Sequence, residues 1–129
     1  MTEYELIDTA GAFQNLATTH FMNFVTILFA YLVCAYLIGD RLSRLQLWVV
    51  NVLYTVFSFQ TGLFSYVGWN RFFAFTARLV EQFPQPQVTP GVAVPSAEVA
   101  FFLSIPLTLG AYFAGILFMM NKRRASDMP

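Results

Sequence analysis

The sequence predicts an all-α membrane protein: three transmembrane helices in a compact bundle, amino end outside and carboxyl end inside, with an outer interfacial amphipathic helix between spans two and three. Three observations predict it. Residues 21–38, 45–67 and 99–120 are apolar stretches without any Asp, Glu, Lys or Arg. About 20 such residues, at about 1.5 Å rise each, cover a hydrocarbon core roughly 30 Å thick. Trp48 and Trp69 bracket the second stretch, roughly 31 Å apart along a helix, which matches the two interfacial belts that indole rings prefer. The charges also divide. Arg41, Arg44, Lys122, Arg123 and Arg124 flank span ends on one side with Asp40 and Asp127, whereas Glu3, Glu5, Asp8, Glu81 and Glu98 share the other with Arg71 and Arg78. A Lys/Arg excess in short flanks marks the cytoplasmic side, so the first loop and the tail are expected inside.

With 129 residues, 57% of them hydrophobic, the chain reads as a single integral membrane domain. Residues 1–19 form a lead-in. Leu6, Ala10, Phe13 and Ala17 recur at helical spacing while Glu5, Asp8, Thr9, Asn15 and Thr19 fall largely off that stripe, as in an interfacial helix that steadies the first span. Acidic residues stand where a cleavable signal carries positive charge, so the first span, 20–39, is expected to be a retained anchor. Residues 40–44 are a short polar cytoplasmic loop, which makes spans one and two an antiparallel hairpin. The second span covers 45–68.

Residues 69–95 read as two parts. Over 70–83, Phe72, Phe75, Leu79 and Phe83 share an apolar face while Arg71, Arg78, Glu81 and Gln82 lie elsewhere, which predicts a helix in the outer interface. Pro84, Pro86, Pro90 and Pro95 then forbid a continuing helix, and Thr89-Pro90-Gly91 suits a turn. In the third span, 96–120, Ser96 is placed to cap the helix, Glu98 suits the positive end of its dipole, and Pro106 predicts a kink. Residues 121–129 are a cytoplasmic tail.

Each span carries small and polar residues at gaps of three and four. In the first they are Thr19, Asn23, Thr26, Ala30 and Cys34; in the second Asn51, Thr55, Ser58, Gly62 and Ser65; in the third Ala97, Ala100, Ser104, Thr108, Ala111 and Gly115. Inside a membrane, Leu against Leu drives little association, whereas close backbone approach and Ser, Thr or Asn hydrogen bonds do more. The three stripes are therefore expected to face one another, with Phe24, Leu28, Phe57 and Phe113 among the bulky residues turned to lipid.

Gln60 breaks the pattern. It falls on the bulky side of span two, near mid-membrane, where lipid offers its amide no partner. Either a neighbouring span covers it, or it bonds to a neighbouring turn, or it meets a second protein chain. His20 stands alone at the outer border of span one, with no second His or Cys at ligand spacing, and is expected to be solvated; no metal, cofactor or catalytic residue is assigned. Gly-rich phosphate loops, nucleophile elbows and zinc-protease motifs are absent from the sequence, as is any basic patch able to track nucleic acid.

These features point to a non-catalytic subunit: a scaffold, assembly or regulatory component in the lipid bilayer, bound laterally to another membrane protein or to copies of itself. A homo-oligomeric pore is the alternative. Three spans, an outside amino end and a basic inside tail are similar in layout, though in no motif, to class I phage holins, a resemblance that implies assembly into membrane lesions. A third reading is an accessory subunit of a membrane redox or lipid-handling enzyme, with His20 or the outer segment lining a quinone or lipid site. The lack of an Asn-X-Ser/Thr sequon and of a targeting peptide leans towards a bacterial inner membrane.

Overall fold

The computed structural model describes residues 1–83 and 97–126, with side-chain surroundings for 1–83 and 105–125. They form three helices, α1 (Glu3–Ile38), α2 (Arg44–Gln82) and α3 (Ala97–Ser126). Each of the three holds a stretch long and apolar enough to cross a membrane. The exterior carries large apolar side chains while some polar ones are buried: Phe29, Phe59 and Leu117 are 69%, 73% and 64% exposed, whereas Ser58, Thr61 and Ser65 are 5%, 8% and 6% exposed. Water does not tolerate such a surface, and a bilayer does.

Both long helices start with the same device. The Thr2 hydroxyl accepts from the Glu5 N–H at 3.3 Å while the Thr2 N–H donates to the Glu5 carboxylate at 2.8 Å. Ser43 and Gln46 repeat the reciprocal pair at 3.2 and 2.9 Å. These capping boxes satisfy N–H groups that a helix start leaves open. The bond from the Thr2 N–H holds the Glu5 carboxyl below the ordinary carboxylate range. Its contribution is therefore present above the unfolded-state pKa and is lost as pH falls through the lowered value.

α1 and α2 are single unbroken helices of 36 and 39 residues, about 54 Å and about 58 Å long, well beyond a hydrocarbon core roughly 30 Å thick. The lead-in of residues 1–19 and the segment 70–83 are both helical, and each continues without a break from the neighbouring span, so that they form the far ends of the two long helices, packed on each other. Phe13 stacks on Phe75 at 5.6 Å between ring centres, and Leu6, Ala10, Phe73, Thr76 and Leu79 are buried. The physical reason is mutual cover. Each segment has one apolar face, and neither Trp69 nor Asn70 interrupts a helix, so the two faces close on each other as the hairpin continues.

The buried positions of α1 (Leu6, Ala10, Ala17, Phe24, Tyr31 and Ala35) and of α2 (Tyr54, Ser58, Thr61, Ser65, Gly68, Phe73, Thr76 and Leu79) keep to spacings built from threes and fours, save one gap of five from Gly68 to Phe73. That is close to the seam of a left-handed antiparallel coiled coil. The tightest point is Ala17. Ser65 donates its hydroxyl to the Ala17 carbonyl at 3.1 Å, and a Cβ added to Gly68 would stand 2.8 Å from the Ala17 nitrogen.

α3 packs parallel to α1 and antiparallel to α2. Thr108 stands beside Gly62, Gly115 beside Tyr54, and Met119, 1% exposed, closes the end of the bundle next to Gly39. The helix runs through Pro106. The proline-rich segment, the Thr89-Pro90-Gly91 turn and the Ser96 cap lie outside the described residues.

Gly68→Ala is expected to destabilise the protein by about 1–3 kcal/mol, because the new methyl must push the α1 backbone away. Gly11 has open space where its Cβ would stand, so Gly11→Ala should be neutral or stabilising by up to about 1 kcal/mol through helix propensity. Unfolding titrations of the two variants in one detergent measure the contrast.

Candidate functional site

Three tyrosines, one from each helix, stack in series through the centre of the bundle. Tyr31 lies on Tyr54 with ring centres 3.9 Å apart, and Tyr54 on Tyr112 at 5.3 Å, each pair inclined by 14°. Their hydroxyls have different fates. Tyr31 donates to the Asn51 side-chain oxygen at 2.6 Å. Thr55 donates to the Asn51 carbonyl at 2.8 Å, which uses its only proton, so in the 2.8 Å pair between Thr55 and Tyr112 the tyrosine is the donor. The Tyr54 hydroxyl points at Gly115, where an added Cβ would stand 2.9 Å away. Neither it nor the neighbouring Ser58 hydroxyl makes a well-formed hydrogen bond, although both are buried.

Beside the stack, α2 and α3 leave a cleft of about 310 Å³, with Phe24 of α1 contributing to its wall. It exists because Ser58 and Gly62 on α2 and Thr108 on α3 are too small to fill the space between the helix axes. Among the described residues its lining holds no Asp, Glu, Lys, Arg, His or Cys. The arrangement can hold a neutral molecule; it carries no acid, base or metal ligand.

The sequence-predicted residues fall into two groups. Asn51, Thr55, Ser58 and Gly62 lie on the inward side of α2, and Thr108, Ala111 and Gly115 are half-buried or buried on α3. The structure brings these together around the tyrosines and the cleft. The Ser104 side chain lies outside the described residues. Asn23, Thr26 and Ala30 are exposed on the outward side of α1, and Thr26 turns its hydroxyl back to the Met22 carbonyl at 3.0 Å. Gln60 is also exposed, on α2, and hydrogen-bonds to none of the described residues. The α1 face that does pack inward carries Phe24, which was expected to meet lipid, and Tyr31. Its signal was the series Leu6, Ala10, Phe13 and Ala17, which continues to those two residues seven positions at a time.

His20 is half-buried and not fully solvated. Its ring stacks on Phe64 at 5.0 Å, and its Nδ1 is buried without a partner among the described residues. No group of three His, Cys, Asp or Glu side chains suited to a metal occurs among the described residues. Near the other end of α1, Lys122 lies over the Tyr36 ring at 5.5 Å.

Two serines on one helix predict opposite responses. Ser65→Ala removes a made bond and should cost about 0.5–1.5 kcal/mol. Ser58→Ala removes a hydroxyl with no well-formed bond and should be neutral or slightly stabilising. Thermal unfolding of both variants in detergent checks the pair. Comparison of the chain with protein families, curated proteins and solved structures found no match.

Proposed function

We propose that this multi-pass chain is a non-catalytic subunit, a scaffold, assembly or regulatory component held laterally to another membrane protein or to copies of itself. In this reading it lies in a bacterial inner membrane, with its amino end outside and its carboxyl end inside. The orientation rests on the basic flanks Arg41, Arg44, Lys122, Arg123 and Arg124.

The observation that carries the reading is Gln60. Its amide is exposed among Val56, Phe57, Leu63 and Phe64, all exposed as well, and no described residue satisfies it. The register that sets Ala17 against Ser65 and Tyr31 against Asn51 places Asn23 of α1 at the same depth as Gln60. Asn23 is exposed too, with no hydrogen-bond partner among the described residues. Two outward amides at one level of an apolar surface suit intramembrane contacts with another chain, each worth about 1–2 kcal/mol or less.

The same outward stripe on α1, Thr19, Asn23 and Thr26, supports the second reading, a homo-oligomeric pore with that stripe towards a shared lumen. Three helices enclose no lumen by themselves, so this reading requires several copies.

Blue-native electrophoresis in a mild detergent separates the outcomes. Wild type is expected to migrate in a complex, and Gln60→Leu with Asn23→Leu should shift it towards the monomer. Strictly monomeric wild type would remove the support for lateral assembly. Loss of membrane potential on regulated expression would favour the pore, and harmless high expression the scaffold.

A further inference from the structure

The cleft beside the tyrosine stack has a property that an ordinary packing gap lacks. Ser58, 5% exposed, lines it with a hydroxyl that makes no well-formed hydrogen bond and whose neighbour is the equally open Tyr54 hydroxyl. Of the other hydroxyls in the described lining, Ser65 donates to Ala17, Thr55 to Asn51 and Tyr112 to Thr55, while the Tyr66 and Thr108 side chains have interactions of their own. A buried hydroxyl normally finds an acceptor. The acyl chains of the surrounding lipid offer none.

Ser58 and Tyr54 carry two protons and can use only one between them; with Tyr54 donating to Ser58, the Ser58 proton remains to be satisfied in a cleft whose described lining is uncharged. That selects a ligand with an acceptor oxygen and no charge. Phe24, Phe59, Tyr66 and Tyr112 give the lining aromatic surface, which suits a flat ring. The volume of about 310 Å³ lies at the lower end of the roughly 300–1,000 Å³ of ligand pockets. It takes a substituted ring with the start of a tail. Residues 55–65 lie midway between Trp48 and Trp69, so the ester oxygens of phospholipids, which stay at the interfaces, do not reach this depth.

We propose that the cleft binds a neutral, membrane-dissolved lipophile whose ring bears a carbonyl, of the quinone class, with the Ser58 hydroxyl donating to that carbonyl oxygen. Gly62 keeps the space open. A methyl there would meet only Thr108, at 3.8 Å, whereas a longer side chain would enter the cleft. The site is separate from the outward amides and does not depend on lateral assembly.

The test uses the purified full chain in phosphatidylcholine nanodiscs, with decyl-benzoquinone as probe and decylbenzene, which keeps ring and tail but lacks the carbonyls, as comparator. A saturable rise in unfolding temperature is expected with the quinone and not with decylbenzene. Ser58→Ala should weaken the apparent affinity about tenfold, the scale of one hydrogen bond, and Gly62→Leu should abolish the response. No response to the quinone, an equal response to decylbenzene, or wild-type affinity in Ser58→Ala would each overturn the proposal. If Gly62→Leu does not fold, Ser58→Ala still decides, because it removes no well-formed bond. Migration of wild type and Gln60→Leu on native gels reads the lateral assembly separately.

Discussion

The close approach of α1 and α2 at Ala17 fixes the rest of the molecule. Hydrocarbon gives two apolar helices little reason to prefer each other over lipid, so association depends on backbones that come near and on hydrogen bonds between them. Gly68 supplies the nearness and Ser65 the bond. Once that contact sets the register, the antiparallel seam follows in both directions. Towards the loop it brings Tyr31 to Asn51 and Tyr54; towards the amino end it brings Phe13 to Phe75. α3 packs on this hairpin where Gly115 makes room for the Tyr54 hydroxyl.

Polar side chains in such a bundle are sorted by whether they can satisfy themselves. Thr9, Thr18, Thr26, Thr55, Thr61 and Thr76 each turn back to the carbonyl four residues earlier, between 2.6 and 3.0 Å. A threonine bonded in this way can face lipid or protein at little cost, so its position says little about packing. Amides and isolated hydroxyls are more informative. Gln60 and Asn23 remain open on the outside, Ser58 and Tyr54 on the inside. In the proposed reading the outer pair meets a neighbouring chain. The inner pair stands beside and within a cleft whose remaining capacity is for an acceptor.

The number of helices long and apolar enough to span was legible because charge exclusion over about 20 residues is a strong constraint on the chain. The inward side of α2, and that of α3 over its described residues, was legible as well, since Ser58, Gly62, Ser65 and Gly115 are small and match in spacing. The inward face of α1 was harder to read. Its outward side carries Asn23, Thr26 and Ala30, which look like an interface by composition, while its packing side carries Phe24 and Tyr31, which look like lipid-facing bulk. Periodicity carried that information where polarity did not. The stripe of the amino-terminal lead-in, followed past Ala17 in the same phase, leads to Phe24, Tyr31 and Ala35. Residues 70–83 were similarly ambiguous, because a single amphipathic face does not say whether lipid or another helix covers it. The tyrosine stack depends on three helices meeting at one level, which no single segment encodes.

The most direct test of the continuous hairpin is crosslinking beyond the second tryptophan belt. In a Cys34→Ser background, Phe13→Cys paired with Phe75→Cys should be joined within the chain by a short bifunctional thiol reagent in native membranes, since the two rings they replace are stacked at 5.6 Å. Absence of that crosslink, with residues 70–83 instead quenched by lipid-borne quenchers along their apolar face, would show the outer segment lying on the bilayer and would contradict the structure described here.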